Sequence, residues 1–560
     1  MDVDAERGHV VSAATLARTA TLARTAVALA ILAGTLAPPT VPSALAAGPA
    51  DPARACAGLA SFDFSRVPDA ATRIASAASV AALDDQPALC RVIGYVAADV
   101  GIEMRLPEVT WNGKLYHAGC GALCGSTALV YDELKAASEA LARGYAVVAS
   151  DMGHRGVSAT DGLWARGNLG AQIDFGYRAT HVATVAAKAI VERYYGSPPS
   201  RSYFEGCSTG GRQALLLAQR FPADFDGIIA GCPILSNAAE AVHVAWSARA
   251  NVDARGQPVL KAEQLPLVHE AVLAACDARD GVKDGIVADP RACNFDPNSM
   301  RCKARSKADC LTPAQVDTVR KLYQGARNSR GEPLTSGGVP VGSELQWADA
   351  FVAVGEQTPF EEKLANEYLG NLGLFEASAR PLSVRDLNFD RDPQRLALTD
   401  ALSNASNPDL RAFRARGGRL ILHQGWADPS TAGTASMDFY DTVTRVIGSP
   451  ERTQEFARLY LLPGVGHCGG GKGAAVVDYL TALERWVERG EAPDLLVGYH
   501  IRGEVDPGAA RFPIDPSQVD FTRAYFPHPA FARFTGKGAA TEHRNWVKAT
   551  PPEPKPKPKR

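Results

Sequence analysis

The sequence predicts an α/β fold, and three observations carry that prediction. Strand-like and helix-like segments alternate along much of the chain, the pattern of a largely parallel sheet covered by helices. A Gly-x-Ser-x-Gly turn sits between one predicted strand and one predicted helix. Strand signals then vanish over a long internal stretch and resume beyond it, as expected for an insertion into one sheet. At 560 residues the chain also exceeds one ordinary core.

The elements follow in order. Lys114–His117 is a short strand running into a Gly/Cys loop, HAGCGALCG (117–125). Tyr145–Ser150 (YAVVAS) is an apolar run of buried-strand length. Thr180–Tyr195 has the apolar spacing of an amphipathic helix. Ser202–Glu205 is a strand, followed by the glycine-rich turn and the helix-like ALLLAQRF. Phe225–Ala230, Arg419–His423 and Arg458–Leu462 complete the set of strands. Between Leu235 and about Asn404, cysteines crowd together and acidic, glycine-rich and aromatic segments dominate. The expected organisation is therefore a leader (1–47), a first core part (48–235), an inserted lid (236–404), a second core part (405–550) and a disordered Pro/Lys tail (551–560).

The leader is read from its layout. Arg18 and Arg24 precede a 12-residue apolar run, Ala26–Ala37, and Ala44-Leu45-Ala46 supplies small residues for cleavage near Ala46 or Ala47. That is a secretory signal peptide, too short to span a membrane, and it places the mature chain outside the cell or in the periplasm. The formal net charge of −2, from 59 Lys+Arg and 61 Asp+Glu, gives no electrostatic footprint for nucleic acid. In an exported chain the eleven cysteines read as disulfides before metal ligands, with an odd one left over.

The chemistry centres on Gly206-Cys207-Ser208-Thr209-Gly210. The turn is sharp, so glycines must flank the serine where strand and helix converge. A nucleophilic serine needs a base and an acid, in the chain order Ser, Asp, His. Asp428 lies just past the strand RLILH, and His467 just past the strand RLYLL. Both therefore sit on loops beyond strand ends, where such sheets collect functional residues. Taken alone, Asp428 is equally a turn-forming Asp-Pro and His467 a loop histidine; order and context together favour the triad Ser208, Asp428 and His467. Cys207 precedes the serine and Cys468 follows the histidine, so a triad would bring these two cysteines close enough to bridge.

The stretches YFEGCSTGGRQ (203–213), DFGYRATH (174–181), SDMGH (150–154), LILHQGWADP (420–429) and GVGHC (464–468) resemble motifs of the tannase/feruloyl esterase family, whose hallmark is Cys-Ser…Asp…His-Cys with the two cysteines joined. The resemblance extends over most of the chain. It implies an α/β-hydrolase core with a large lid between serine and aspartate, which here lie 220 residues apart. It also implies a serine carboxylesterase acting on small aromatic esters: feruloyl, coumaroyl or galloyl esters, or the mono(hydroxyethyl) terephthalate that some members hydrolyse. A non-catalytic binding protein or a peptidase on the same scaffold are the competing readings. An oxyanion hole is expected from the Thr209 amide and one amide among Gly119, Cys120 and Gly121.

Cys276-Asp277-Ala278-Arg279-Asp280-Gly281-Val282-Lys283-Asp284-Gly285-Ile286 gathers three carboxylates in eight residues. By composition it is as consistent with a solvated acidic turn as with a calcium loop. The resemblance implies one structural calcium ion (Ca2+) in the lid, held by Asp277, Asp280 and Asp284 with the carbonyls of Val282 and Ile286. Further bridges expected are Cys56–Cys90, Cys276–Cys293 and Cys302–Cys310. The C-terminal bridge of the family is absent, Tyr525-Phe526-Pro527-His528-Pro529 standing at its place. For Cys120, Cys124 and Cys232, a tight Cys120–Cys124 bridge and unpaired thiols remain equally open. Gln424 stands where the family usually has histidine and is expected to be silent. In the lid, Trp347, Phe351, Phe360, Tyr368 and Phe375 are candidate walls for an aromatic acyl group, each also a candidate for the lid's own core. No Lys or Arg occurs between Leu364 and Ala379, which favours neutral esters over carboxylated ones.

Overall fold

The computed structural model describes residues 48–83, 86–127, 135–303, 309–375, 381–431, 433–503 and 511–550. The expected leader and the Pro/Lys tail lie outside them. Nine strands form one mixed sheet: β1 (Thr72–Val80), β2 (Leu89–Val96), β3 (Val100–Pro107), β4 (Lys114–Ala118), β5 (Ala146–Ser150), β6 (Arg201–Cys207), β7 (Gly227–Gly231), β8 (Arg419–Gly425) and β9 (Ala457–Leu462). Their order across the sheet is β1-β2-β3-β5-β4-β6-β7-β8-β9. The first three strands and the β3–β5 pair run antiparallel, and every pair from β5 to β9 is parallel.

The parallel half matches the expected strands closely, because each is a short apolar run bounded by turn residues. Strands β5 and β7 are buried at every position, as parallel strands covered on both faces must be. The helix Ala179–Tyr195 packs its apolar side on the sheet and ends at Gly196, which supplies the left-handed φ of +80°. Strands β1–β3 were not anticipated. Their apolar positions are interrupted by Ala, Ser, Arg and Glu, so no clean period marks them.

Strands β7 and β8 pair directly, Ile229 opposite Ile421, although the chain between them runs from 232 to 418. Among the described residues that stretch holds helices, turns and isolated bridges but no strand, and its apolar side chains join the same buried cluster as the face of the sheet. Two of the sequence motifs hold the core together. Arg212, fully buried, donates to the carbonyls of Gly176 (2.9 Å) and Phe175 (3.2 Å) and lies 4.6 Å from the centre of the Phe175 ring. Asp151 accepts from the Gly101 and Gly153 amides at 2.8 and 2.9 Å, tying the end of β5 to β3. Five disulfides join Cys56–Cys90, Cys120–Cys124, Cys207–Cys468, Cys276–Cys293 and Cys302–Cys310, and Cys232 is a buried free thiol. The open question of Cys120 and Cys124 is thereby resolved in favour of the bridge.

At the turn from β6 into the helix Thr209–Arg220, a Cβ on Gly206 would lie 2.7 Å from the Cα of Gly210. The contact is with backbone, so the helix itself would have to move. Gly206→Ala should destabilise the protein by about 1–3 kcal/mol and lower turnover together with it. A variant with wild-type melting temperature and wild-type turnover would contradict this packing.

Candidate active site

Ser208 occupies the sharp turn between β6 and the helix. Its backbone has φ +61° and ψ −119°, a conformation that costs a non-glycine residue about 1–3 kcal/mol and is kept only where surroundings enforce it. Here the Ser208 amide donates to the Gly231 carbonyl (3.0 Å), and its own carbonyl accepts from the amides of Arg212 (3.0 Å) and Ile234 (3.2 Å). Among the described residues the Ser208 hydroxyl makes no hydrogen bond within the protein, and it faces a cavity of about 360 Å3.

Asp428, on the loop after β8, has no solvent exposure. One oxygen, Oδ1, accepts from the amides of Ser430 (2.9 Å) and Thr431 (3.2 Å). The other, Oδ2, accepts from Gln424 Nε2 (2.8 Å), the Thr431 hydroxyl (2.9 Å) and His467 Nδ1 (2.8 Å). Burial alone would raise its pKa, but the charge and hydrogen bond of His467 and the Thr431 donors outweigh it and hold the carboxyl below 3.8. His467 shows the converse. Burial disfavours its charged form, yet the Asp428 charge and hydrogen bond, with the Cys232 thiol, raise its pKa well above 6.5. Cys232, Asp428 and His467 place one ligand-type atom each within 4.8 Å of one another. The ring lines the same cavity as Ser208. The disulfide Cys207–Cys468 joins the two neighbouring residues across 261 positions.

Opposite these residues lies the loop after β4. It is clamped at four points. Its own disulfide closes Cys120 on Cys124, and the Thr209 hydroxyl donates to the Ala122 carbonyl (2.7 Å). His154 Nε2 donates to the Leu123 carbonyl (2.7 Å), and Gln213 Nε2 contacts the Cys120 sulfur at 3.0 Å. Burial lowers the His154 pKa to about 4, so that ring is neutral. Gly119 is corrected as an oxyanion donor, because its N–H is spent on the Glu205 carbonyl at 2.8 Å and it lies outside the cavity lining. Thr209, Cys120 and Gly121 all line the cavity; the Cys120 amide also reaches Gln213 Oε1 at a long 3.4 Å.

The inserted segment supplies the remaining wall through the helices Asn237–Ala250 and Phe360–Asn371. Phe360 and Tyr368 line the cavity as expected. Trp347 and Phe351 do not; both are buried in the segment's own core, and Phe375 is 51% exposed away from it. Among the described lining residues there is no Lys or Arg, and there are two acids, Glu240 and Glu361. Ser430 donates to Glu361 Oε1 at 2.5 Å, which links the inserted segment to the Asp428 loop.

The residues 86–549 match the family described as tannase and feruloyl esterase. The chain belongs to that family. It is 31% identical to the mono(2-hydroxyethyl) terephthalate hydrolase of Piscinibacter sakaiensis over 86% of this chain and 87% of that one. It is 32% identical to a probable feruloyl esterase B-2 of Aspergillus flavus, over 73% and 80%. The solved structure of feruloyl esterase B from Aspergillus oryzae superposes with a TM-score of 0.75 at 25% identity, over 89% of this chain and all of that one. The protein is a carboxylic ester hydrolase with an α/β-hydrolase fold, of the feruloyl esterase and tannase type.

The roles of two polar residues, Gln424 and Glu240, escaped sequence reasoning. Gln424 is not silent: fully buried, it donates to Asp428 Oδ2 and Thr431 (2.9 Å) and accepts from Ser436 (2.8 Å). The signals were its departure from the histidine usual in the family and its place at the end of a buried strand, four residues before the aspartate. Glu240 was legible only as one member of the helical face 237/240/241/244. In the acidic loop, Asp277 accepts from the Asp284 (3.2 Å) and Gly285 (3.1 Å) amides, and Asp280 from Val282 (3.0 Å). Asp284 accepts from the Ile286 amide (3.2 Å) and from Arg523 (2.5 Å). Among the described residues these three carboxylates do not all approach within 4.8 Å of one another. No helix of the described residues is long and apolar enough to cross a membrane.

Two outcomes follow from this geometry. An imidazole at position 467 must be neutral to accept a proton. Activity should therefore rise with pH along a limb centred above the ordinary 6.5. Asp428→Asn removes the charge that holds the proton on, so it should shift that limb to lower pH and cut kcat about 10⁴-fold. A wild-type limb centred at or below 6.5 would contradict the electrostatics. The Cys207–Cys468 bond closes so long a loop that chain entropy assigns it about 5 kcal/mol. The double variant Cys207→Ala/Cys468→Ala should lose about 100-fold in kcat through misplacement of His467 even where circular dichroism shows a folded protein. Near-wild-type turnover in that variant would refute the positional role.

Proposed function

We propose that the protein is an exported serine esterase that hydrolyses neutral esters of phenolic or other aromatic acids through an acyl-enzyme. Ser208 Oγ attacks the ester carbonyl while His467 takes its proton; Asp428 fixes the ring and balances its charge. The tetrahedral oxygen is received by the Thr209 amide and by an amide of the Cys120–Gly121 stretch. Collapse expels the alcohol, which leaves with the proton from His467. Water then attacks the acyl-serine with His467 again as base, releasing the acid. The single observation that carries this reading is the convergence on one cavity of Ser208 and the His467–Asp428 pair. In an apo site the serine–histidine contact is often loose and tightens with substrate.

A cavity of about 360 Å3 holds a single substituted aromatic ring with its ester. A substrate carboxylate calls for a basic partner. The described lining offers no Lys or Arg, and this supports neutral esters over terephthalate monoesters. Export is supported by the five disulfides, which persist in oxidising compartments. The test is a pre-steady-state burst with an activated phenyl ester, then kcat/KM on methyl ferulate, a gallate ester and a terephthalate monoester. A burst lost in Ser208→Ala is expected, together with a preference for the first two substrates. A folded wild-type enzyme without a Ser208-dependent burst would overturn the mechanism, and a large preference for the terephthalate monoester would overturn the specificity.

We also propose that calcium holds the loop 277–286. Three carboxylates and backbone carbonyls are hard oxygen donors, suited to that ion. Residues Asp277, Asp280 and Asp284 would hold it with the carbonyls of Val282 and Ile286, drawing the carboxylates together in place of the Arg523 contact. The ion would brace the inserted segment beside the Cys276–Cys293 bridge and take no part in the chemistry. Millimolar calcium should raise the melting temperature of EGTA-treated protein by several degrees, and Asp280→Asn should abolish that rise. No calcium-dependent shift in the wild type would refute the site.

A further inference from the structure

Glu240 projects from the helix Asn237–Ala250 into the same cavity, on the face that also carries Ala241 and Val244. Its Oε1 is shut off from solvent and has no hydrogen-bond partner among the described residues, while the partly buried side chain as a whole lines the cavity. Glu361, across the cavity, shows what a satisfied acid looks like here, since Ser430 donates to it at 2.5 Å. Buried polar groups in proteins are almost always paired, so a carboxyl left with an unpaired oxygen at the wall of a substrate cavity points to a partner that arrives with the ligand and meets it as the carboxyl turns. The charged groups that act on Glu240 are Glu361, Asp428 and His467; the imidazole opposes the two acids, and no Lys or Arg stands among the described lining residues. Burial, with the charges of Glu361 and Asp428, pushes its carboxyl well above the usual 4.5. A protonated carboxyl both donates and accepts, which matches a hydroxyl group.

We propose that Glu240 is a specificity-determining residue whose carboxyl binds a hydroxyl group of the ester substrate. This rests on the esterase reading of the same cavity. The hydroxyl belongs either to the aromatic acid, as a phenol, or to the alcohol half. A site that spends a buried polar group on a hydroxyl discriminates strongly against the analogue that lacks it, because its own group is then left unpaired. Glu240 takes no proton from Ser208 and forms no bond to the reacting carbon.

The experiment uses the full chain and three esters: methyl 4-hydroxycinnamate, methyl cinnamate and 2-hydroxyethyl cinnamate. For wild type, the kcat/KM ratio of one hydroxylated ester to methyl cinnamate should be about 10-fold or more. In Glu240→Leu that ratio should fall to about one. Collapse of the 4-hydroxycinnamate ratio places the hydroxyl on the acid, and collapse of the hydroxyethyl ratio places it on the alcohol; either supports the proposal. If Glu240→Leu does not fold, the isosteric Glu240→Gln carries the same test, with the ratio expected to fall by a smaller factor. Ratios equal in wild type and variant would overturn the role of Glu240 while leaving the esterase reading intact. A folded wild type that cleaves none of the three esters would overturn both.

Discussion

A carboxylate with no access to water organises the active end of this sheet. Asp428 is fully buried, and a buried charge is tolerated only when its lone pairs are met by donors and a positive partner. Five donors from four residues meet it, and they come from three structural demands. Gln424 ends β8, Ser430 and Thr431 turn the loop, and His467 arrives from the loop after β9. Satisfying one charge thus fixes two adjacent strand ends relative to each other. The constraint reaches further, because Ser430 is also held by Glu361 of the inserted segment and Cys468, next to His467, is bonded to Cys207 at the serine turn. The inserted helix Phe360–Asn371 is tied to the same carboxylate through Ser430, and the third strand end through His467 and Cys468.

The opposite wall is built by another logic. There the chain carries no charge to satisfy, and backbone carbonyls that face away from the sheet are taken up one by one by side chains from separate motifs: Thr209 from the serine turn for Ala122, His154 from the SDMGH motif for Leu123. The Cys120–Cys124 bond shortens the loop between these anchors. Amides meant to receive an oxyanion are useful only if they do not reorganise during reaction, and a loop held at both carbonyls and sulfurs meets that requirement. Gly119 marks where the loop stops belonging to the sheet, since its amide still bonds Glu205 in β6.

How much of this was legible follows from what sequence patterns encode. Strands β4 to β9 announce themselves as short apolar runs, and Ser208, Asp428 and His467 each follow one, so position in the chain approximates position in space. Cys207 and Cys468 were readable for the same reason, being neighbours of those residues. Strands β1 to β3 were not, because antiparallel strands with mixed faces such as TRIASAASV show no clean alternation. Gln424 and Glu240 were hidden differently. A lone polar residue on a buried strand or helix looks like a tolerated exception until its partner is seen, and that partner is either distant in sequence or not part of the protein. Trp347 and Phe351 misled in the other direction, since an aromatic residue is equally at home in a core and a cavity wall.

The cavity's charges also have to coexist. Two acids stand near the proposed base, and an ionised carboxylate there would add to the pull of Asp428 in holding a proton on His467. The imidazole is already raised well above 6.5, mainly against the opposing effect of its burial. A further charge would leave less neutral base at any given pH and would also repel the developing oxyanion. Burial answers both difficulties, because it raises the pKa of Glu240 and of Glu361 and favours their uncharged forms. The same burial therefore weakens their competition with Asp428 for the histidine. An inserted segment closed over the sheet is what provides that burial. The segment then acts without touching the reacting atoms, by setting an enclosure that disfavours charge on Glu240 and Glu361 while the donors around Asp428 favour its charged form.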